Sequence, residues 1–554
     1  MEQLERIKAY AKDYRRVPIA KEIFADVRTV IGTLRVLKKV SRTAFLFESA
    51  DNTERWGRYS FLGYDPKLEL FVKNGKMTVK GAVTETFETD DPASVIRKVL
   101  HEYHSPEIPG MPTFTGGLVG YFAYEYARYS EKKLYFKEEK EPDISFNDAD
   151  LMLFDKVIAF DHYRKTIILI TNVDTSEIET NYEKAVRELD EMAELIAYGK
   201  EADIPEGKLL SDFKDEFTEE EYEALVREIQ QRIHDGDIFQ AVLSNGRSAA
   251  FEGSLLNAYR VLRTINPSPY MFYLSGHDIE LAGASPETLI KLTGGELETF
   301  PIAGTMPRGK TDEEDEALEE RLVSDKKELA EHNMLVDLGR NDIGKISRFG
   351  SVRVRELRKV KRFSHVMHLC SLVTGKIQEG KDALDALAAA LPAGTMSGAP
   401  KIKAMEILHG MEKSPRGVYA GAVGYLSLTG NMDMCIGIRM AAAKGGRVFV
   451  RAGAGIVKDS VPKGEYRETR NKAEAMIEAV RKGQEAGDYD FTHGPLRQLF
   501  LQPLPARRKP FFGHQSHPER RAHREGNRKS QSFPHHPFTG NGAAGKCRRL
   551  RRSD

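Results

Sequence analysis

The sequence predicts an α+β fold, large sheets with helices packed against them, and three observations carry that expectation. Residues 1–205 are crowded with short β-branched and aromatic runs, TAFLFES, SFLGY, LELFVKN, KMTVKG, GLVGYFAYEY, LMLFDKVIAFD and TIILITNV, broken by Gly, Asp and Asn. Farther on, Thr218 and Glu221 form a capping box, and Tyr222, Leu225, Val226, Ile229 and Ile233 recur at helical spacing. The 554 residues are 40% hydrophobic and 30% charged, a globular composition in a chain too long for one core, which stops growing at roughly 250–300 residues.

Taken in order, the chain divides into three parts. Region 10–205 is the strand-rich one. A polar connector, AYGKEADIPEGKLLSDFKDEF from Ala197, leads to a second region, 215–485. There the helix after Thr218 stops at Asp235-Gly236. IFQAVLSNG follows as a strand, with Ile238, Gln240, Val242 and Ser244 on one face and Phe239, Ala241 and Leu243 on the other. Gln240 stands open between a solvated edge position and a pocket wall. From residue 487 the periodicity disappears, and 487–554 holds 14 basic against 5 acidic residues in a chain balanced at 83 and 83. This stretch reads as a basic tail, disordered or aberrant.

Several function classes are excluded at this level. The first residues carry charges where a signal peptide carries an apolar run, and no stretch approaches about 18 apolar residues, so a cytoplasmic protein without membrane contact is expected. Cys370, Cys435 and Cys547 share no C-x-x-C spacing and form neither a disulfide framework nor a zinc cluster. The arginine-rich tail leaves one rival class, a nucleic-acid-binding protein, as the less favoured reading. GTMPRGKT, Gly304 to Thr311, matches the phosphate-loop pattern, but the acidic run DEEDEALEER that follows repels phosphate and Pro307 removes an N–H from the cradle.

Other residues suggest chemistry without fixing it. Glu465, Glu468 and Lys472 project from one face of the last helix at i, i+3 and i+7. Two such carboxylates suit Mg²⁺, which takes one or two plus substrate oxygens and waters; a surface Glu468–Lys472 pair, contributing about 0.2–0.5 kcal/mol, is the alternative. Gly453, Ala454 and Gly455 read as a Gly-rich turn, either one whose backbone N–H groups an anion can approach closely or, more commonly, a tight turn with no ligand. GTMSGAP, Gly394 to Pro400, is a second small-residue loop. Arg439 sits in the strand-like CIGIRMAAA, where its planar fork would hold a carboxylate of a ligand or of the protein.

Together these segments resemble the chorismate-utilising enzymes, most closely the large subunit (component I) of anthranilate synthase. PIAGTMPRG, LAEHNMLVDLGRNDIG, LPAGTMSGAPKIKAMEIL, RGVYAGAVGYLSLTGNMDMCIGIR, RAGAGIV and ETRNKAEAM occur in that family's order and spacing, over about residues 10–485. The resemblance implies large antiparallel sheets flanked by helices, with a regulatory part in 10–205 and a chorismate-binding catalytic part in 215–485. It implies Mg²⁺ on Glu331 and Glu468, with Glu465 helping through water. Gly304, Thr305, Tyr419, Arg439, Gly453, Ala454, Gly455 and Lys472 match positions that hold chorismate, and Glu287 matches the general acid for the departing C4 hydroxyl.

The same resemblance separates siblings. Isochorismate and salicylate synthases carry a water-activating lysine where this chain has Gln240, which argues for ammonia as nucleophile. Aminodeoxychorismate synthases, the nearest rival, place a lysine where this chain has Ala303. The histidine that some members place upstream of the GT-x-SGAPK loop is missing from DALDALAAALPAGTMSGAPK, and His365 and His368 lie further off, so the base for pyruvate elimination stays open. Ser49, Pro269, Tyr270 and Met271 resemble a feedback site for L-tryptophan. No cysteine lies in a nucleophile elbow, so a glutamine amidotransferase subunit (component II) is the expected source of ammonia.

Overall fold

The computed structural model describes residues 2–49, 57–134, 145–362 and 366–485. The basic stretch 487–554 and His365 lie outside the described residues. Among those described, the strands form two large sheets. The first runs Arg16–Phe24, Thr166–Asp174, Lys156–Asp161, Tyr59–Tyr64, Ala44–Glu48, Tyr270–Ser275, Ile279–Ser285, Met440–Lys444, Arg447–Ile456, Gln240–Glu252 and Lys208–Leu209. The second runs Ile302–Pro307, Val366–Lys376, Glu296–Thr299, Thr288–Thr293, Met432–Ile436, Ala422–Ser427, Gly117–Phe122, Ala149–Phe154, Leu68–Lys73, Lys76–Lys80 and Thr84–Glu88. Neighbouring strands pair antiparallel, so the α+β expectation holds.

Side-chain alternation explains why these sheets stack. On Tyr270–Ser275, Phe272 and Leu274 join one buried cluster and Met271 and Tyr273 another. On Gly117–Phe122, Val119 and Tyr121 join the cluster of Phe272, while Leu118 and Phe122 turn the other way. The shared cluster, with Phe45, Phe61, Phe154 and Tyr425, therefore fills the space between the sheets. Helices Val30–Val40, Ile178–Tyr198, Leu256–Ile265 and Pro462–Gly483 cover the outer face of the first sheet. Pro92–Glu102, Lys326–Gly344 and Ala383–Ala390 cover that of the second. No described helix is long and apolar enough to cross a membrane.

The two sequence regions are interwoven. Ala44–Glu48 pairs with Tyr270–Ser275, and Gly117–Phe122 pairs with Ala422–Ser427, so both sheets take strands from both regions. Locally the sequence reads well at Thr218, whose hydroxyl accepts from Glu221 N–H while the Glu221 carboxylate takes the Thr218 N–H. One expectation shifts. The strand after this helix begins at Gln240, so alternation does not reach back to Ile238 and Phe239: Ile238 packs with Ala241 and Leu243, and Phe239 is 76% exposed.

Candidate active site

Two of the chain's crossings between the sheets lie side by side. Pro286 and Glu287 join Ile279–Ser285 to Thr288–Thr293, and Gly437–Arg439 join Met432–Ile436 to Met440–Lys444. Ile436 N–H donates to the Glu287 carbonyl at 3.0 Å, and Ala284 N–H to the Arg439 carbonyl at 3.1 Å. Arg439 thus stands at a break in the β-structure, not within a strand, with φ of 50° in the left-handed region. That conformation costs a non-glycine residue about 1–2 kcal/mol. Its guanidinium keeps accessible surface in a recess deep enough that desolvation lowers its pKa, opposed by Glu287.

Glu287 is the counterpart. Burial raises its carboxyl to about 7, although the Thr395 hydrogen bond and the charges of Arg439 and Lys472 all oppose the rise. The Thr395 hydroxyl donates to Glu287 Oε1 at 3.1 Å. A cavity of about 40 Å³ lies beside them, lined by Glu287, Thr395, Leu335, Leu338 and Asp342.

Opposite stands the strand Arg447–Ile456. Gly453, Ala454 and Gly455 lie inside it, opposite Ser244, Leu243 and Val242, so the expected tight turn is corrected to a strand. Glycine is needed at 453 because a Cβ would sit 2.7 Å from Tyr419 Oη and 3.0 Å from the Leu243 carbonyl. Ala454 points its methyl into the apolar cluster beneath, leaving its backbone as its means of contacting a ligand. Pairing with Met440–Lys444 ends at Val450, so beyond it that edge has no ladder partner among the described residues. Lys472 Nζ donates to the Gly453 carbonyl at 3.1 Å, and the Gln240 amide nitrogen lies 3.4 Å from where a Gly455 Cβ would be.

Gly304 and Thr305 close the recess on the strand Ile302–Pro307, where Thr305 pairs with His368. Gly304 has φ of 68°. Its carbonyl accepts from His368 Nδ1 at 3.0 Å, which leaves Nε2 as the basic nitrogen. Burial, with the charge of Arg439, lowers the imidazole pKa, so His368 is neutral near pH 7.

The metal candidates are less gathered. Glu331 is exposed on Lys326–Gly344, Glu465 is half-buried and Glu468 exposed on Pro462–Gly483, and Glu468 pairs with Lys472 at 2.6 Å. Among the described residues no three His, Cys, Asp or Glu side chains converge on one point, so a closed cage of all three glutamates is not present. Carboxylate oxygens are the donor type a magnesium ion takes, beside waters and substrate oxygens. Glu328, which the sequence reading missed, approaches Gly304: its Oε2 lies 3.3 Å from where a Gly304 Cβ would be. The signal was the i, i+3 spacing of Glu328 and Glu331, the same as that of Glu465 and Glu468.

Residues 43–478 match the family model described as chorismate binding enzyme, a span that includes Glu287, Glu331, Arg439, Gly453–Gly455, Glu468 and Lys472. The chain belongs to the chorismate-binding enzyme family. Within it, the chain is 43% identical over 496 residues to anthranilate synthase component 1 of Aquifex aeolicus, covering 87% of this chain and 98% of that one. It is 42% identical to the component 1 of Pseudomonas aeruginosa, covering 88% and 100%. The crystal structure of anthranilate synthase component I from Streptococcus pneumoniae superposes with a TM-score of 0.68 at 38% identity, covering 77% and 93%. The chain is thus a chorismate-converting enzyme.

A second cavity of this chorismate-binding enzyme, about 290 Å³, lies away from Arg439. Ser49, Pro269, Tyr270 and Met271 all line it, so the structure brings the four together. Aromatic walls from Tyr59, Phe61 and Tyr425 alternate there with the polar groups of Arg58 and Asp433. The Tyr270 hydroxyl donates to Asp433 Oδ1 at 2.8 Å and lies 2.9 Å from Thr288 Oγ1.

Proposed function

We propose that the protein is the chorismate-binding component of an anthranilate synthase, converting chorismate and ammonia to anthranilate and pyruvate in the first step of tryptophan biosynthesis. The observation that carries this reading is the recess at the paired sheet crossings, where a carboxyl of pKa about 7 faces two cations. Chorismate is a dianion whose C4 hydroxyl must leave with a proton. Arg439, whose fork suits a carboxylate, and the open edge at Gly453–Gly455 account for one of the two carboxylates, and the other would lie at the magnesium site. Glu287, largely protonated below pH 7, accounts for the departing hydroxyl. His368, neutral with Nε2 basic, is the candidate to take the C2 proton as pyruvate leaves.

Mg²⁺ would be held by Glu331 and Glu468, with Glu465 nearby, and would supply positive charge to a substrate carboxylate that otherwise repels those glutamates. Gln240 in place of a lysine supports ammonia over water as nucleophile, and Ala303 supports anthranilate over the 4-amino product. Ammonia would come from a glutamine amidotransferase partner. In support, burial pushes the Cys370 thiol up to about 11 and the Cys435 thiol higher still, so neither is a thiolate nucleophile. The 290 Å³ cavity, aromatic-walled with polar ends, suits L-tryptophan as a feedback inhibitor.

Purified protein incubated with chorismate, Mg²⁺ and ammonium tests the reading. Fluorescent anthranilate should form, stop with chelator and fall with tryptophan. Chorismate consumed without anthranilate would assign the chain to a sibling reaction.

A further inference from the structure

We propose that Arg416, clamped by Glu412, is a positioning residue for the reaction, fixing the two walls of the recess without touching the substrate. Its side chain is 1% exposed, and Nη1 and Nη2 each reach a segment that carries a site residue. Nη1 donates to the Met396 carbonyl at 2.7 Å, and Met396 follows Thr395, whose hydroxyl holds Glu287. Nη2 donates to the Val242 carbonyl at 2.6 Å, and Val242 faces Gly455 in the ladder. The guanidinium also lies over the ring of Tyr419, 5.9 Å from its centroid, and closer to Tyr124, at 4.5 Å.

Glu412 completes the clamp. It takes Nε and Nη2 of Arg416 at 2.8 and 2.7 Å, and the N–H and hydroxyl of Ser244 at 3.0 and 2.7 Å. Ser244 faces Gly453 and receives Arg451 Nη1 at 2.9 Å. The Arg416 and Gly417 N–H groups are taken by the buried Glu125 carboxylate at 2.7 and 3.0 Å. A buried ion pair returns little net stability against the desolvation it costs, and apolar side chains of similar volume often do as well. What a planar fork adds is direction, because its donors hold several acceptors at fixed angles.

The inference rests on Glu287 as general acid, and the test separates the two. Glu287 faces Arg439, Lys472 and Thr395 and shares a cavity with Asp342. Losing the Thr395 bond removes one interaction that favours its carboxylate, so the alkaline limb of activity should move to higher pH. Arg416→Lys keeps the charge and loses the fork; the double variant Glu412→Gln, Arg416→Met removes both charges together. With anthranilate formation followed at fixed free ammonia, both should fold by thermal unfolding and lose at least ~10-fold in kcat. The chorismate KM should change less, and the alkaline limb should rise as it does in Thr395→Val. Adding Thr395→Val to Arg416→Lys should shift the limb no further. Folded variants with wild-type kcat and limb, or limb shifts that simply add, would overturn the positioning role. If Glu287→Gln keeps the alkaline limb, the general-acid reading has failed instead.

Discussion

Glu287 ends the link between two strands, where desolvation raises its carboxyl to about 7 against the pull of Thr395, Arg439 and Lys472. Its pKa lies above the ordinary carboxyl value of 4.5, so between those values the folded state binds the extra proton and stability falls as pH rises through the window. Activity follows the same sign. At fixed free ammonia, kcat/KM for chorismate should fall as pH rises past about 7. Glu287→Gln should lose that limb and at least ~100-fold of the rate, the usual worth of a general acid. This residue was legible because ASPETL matches a family motif; its raised pKa follows from burial. Thr395 lay in a loop noted only for its small residues, because its bond to Glu287 spans 108 positions of sequence. Arg416 opens the motif that holds Tyr419 but was given no role there, since no local pattern tells a buried arginine from an exposed one.

Elements were legible where their signal is local. The capping box at Thr218 needs only four consecutive residues, and Thr218→Ala should cost about 1 kcal/mol in denaturant unfolding with activity per folded molecule unchanged. Pairing across the fold is not local, which is why Gly453–Gly455 read as a turn. Glycines in turns and glycines that let another group approach look alike in sequence; the Tyr419 hydroxyl decides between them. Gly453→Ala would push a methyl against that hydroxyl, and a displacement of this kind can cost on the order of 100-fold in rate. Steady-state kinetics on the folded variant should show a fall of at least ~10-fold in kcat/KM. Arg439 was read inside a strand for a similar reason: apolar text on both sides of a charge does not reveal that the strands belong to different sheets.

Across the whole molecule, interleaving of the two sequence regions joins the 290 Å³ cavity to the catalytic strands. Ser49 comes from one region and Pro269, Tyr270 and Met271 from the other, and the Tyr270 hydroxyl reaches Thr288, next to Glu287. Ser49→Phe should fill part of that cavity, so inhibition by tryptophan should weaken at least ~10-fold while the uninhibited rate stays within about twofold. Unchanged tryptophan binding in a titration would remove Ser49 from the site. The central claim is the identity of the nucleophile and of the product. The most direct measurement gives the protein chorismate, Mg²⁺ and isotopically labelled ammonium and identifies the products by mass. Labelled anthranilate with pyruvate in equal amount is the predicted result; isochorismate or salicylate without label, or a labelled 4-amino product, would contradict it.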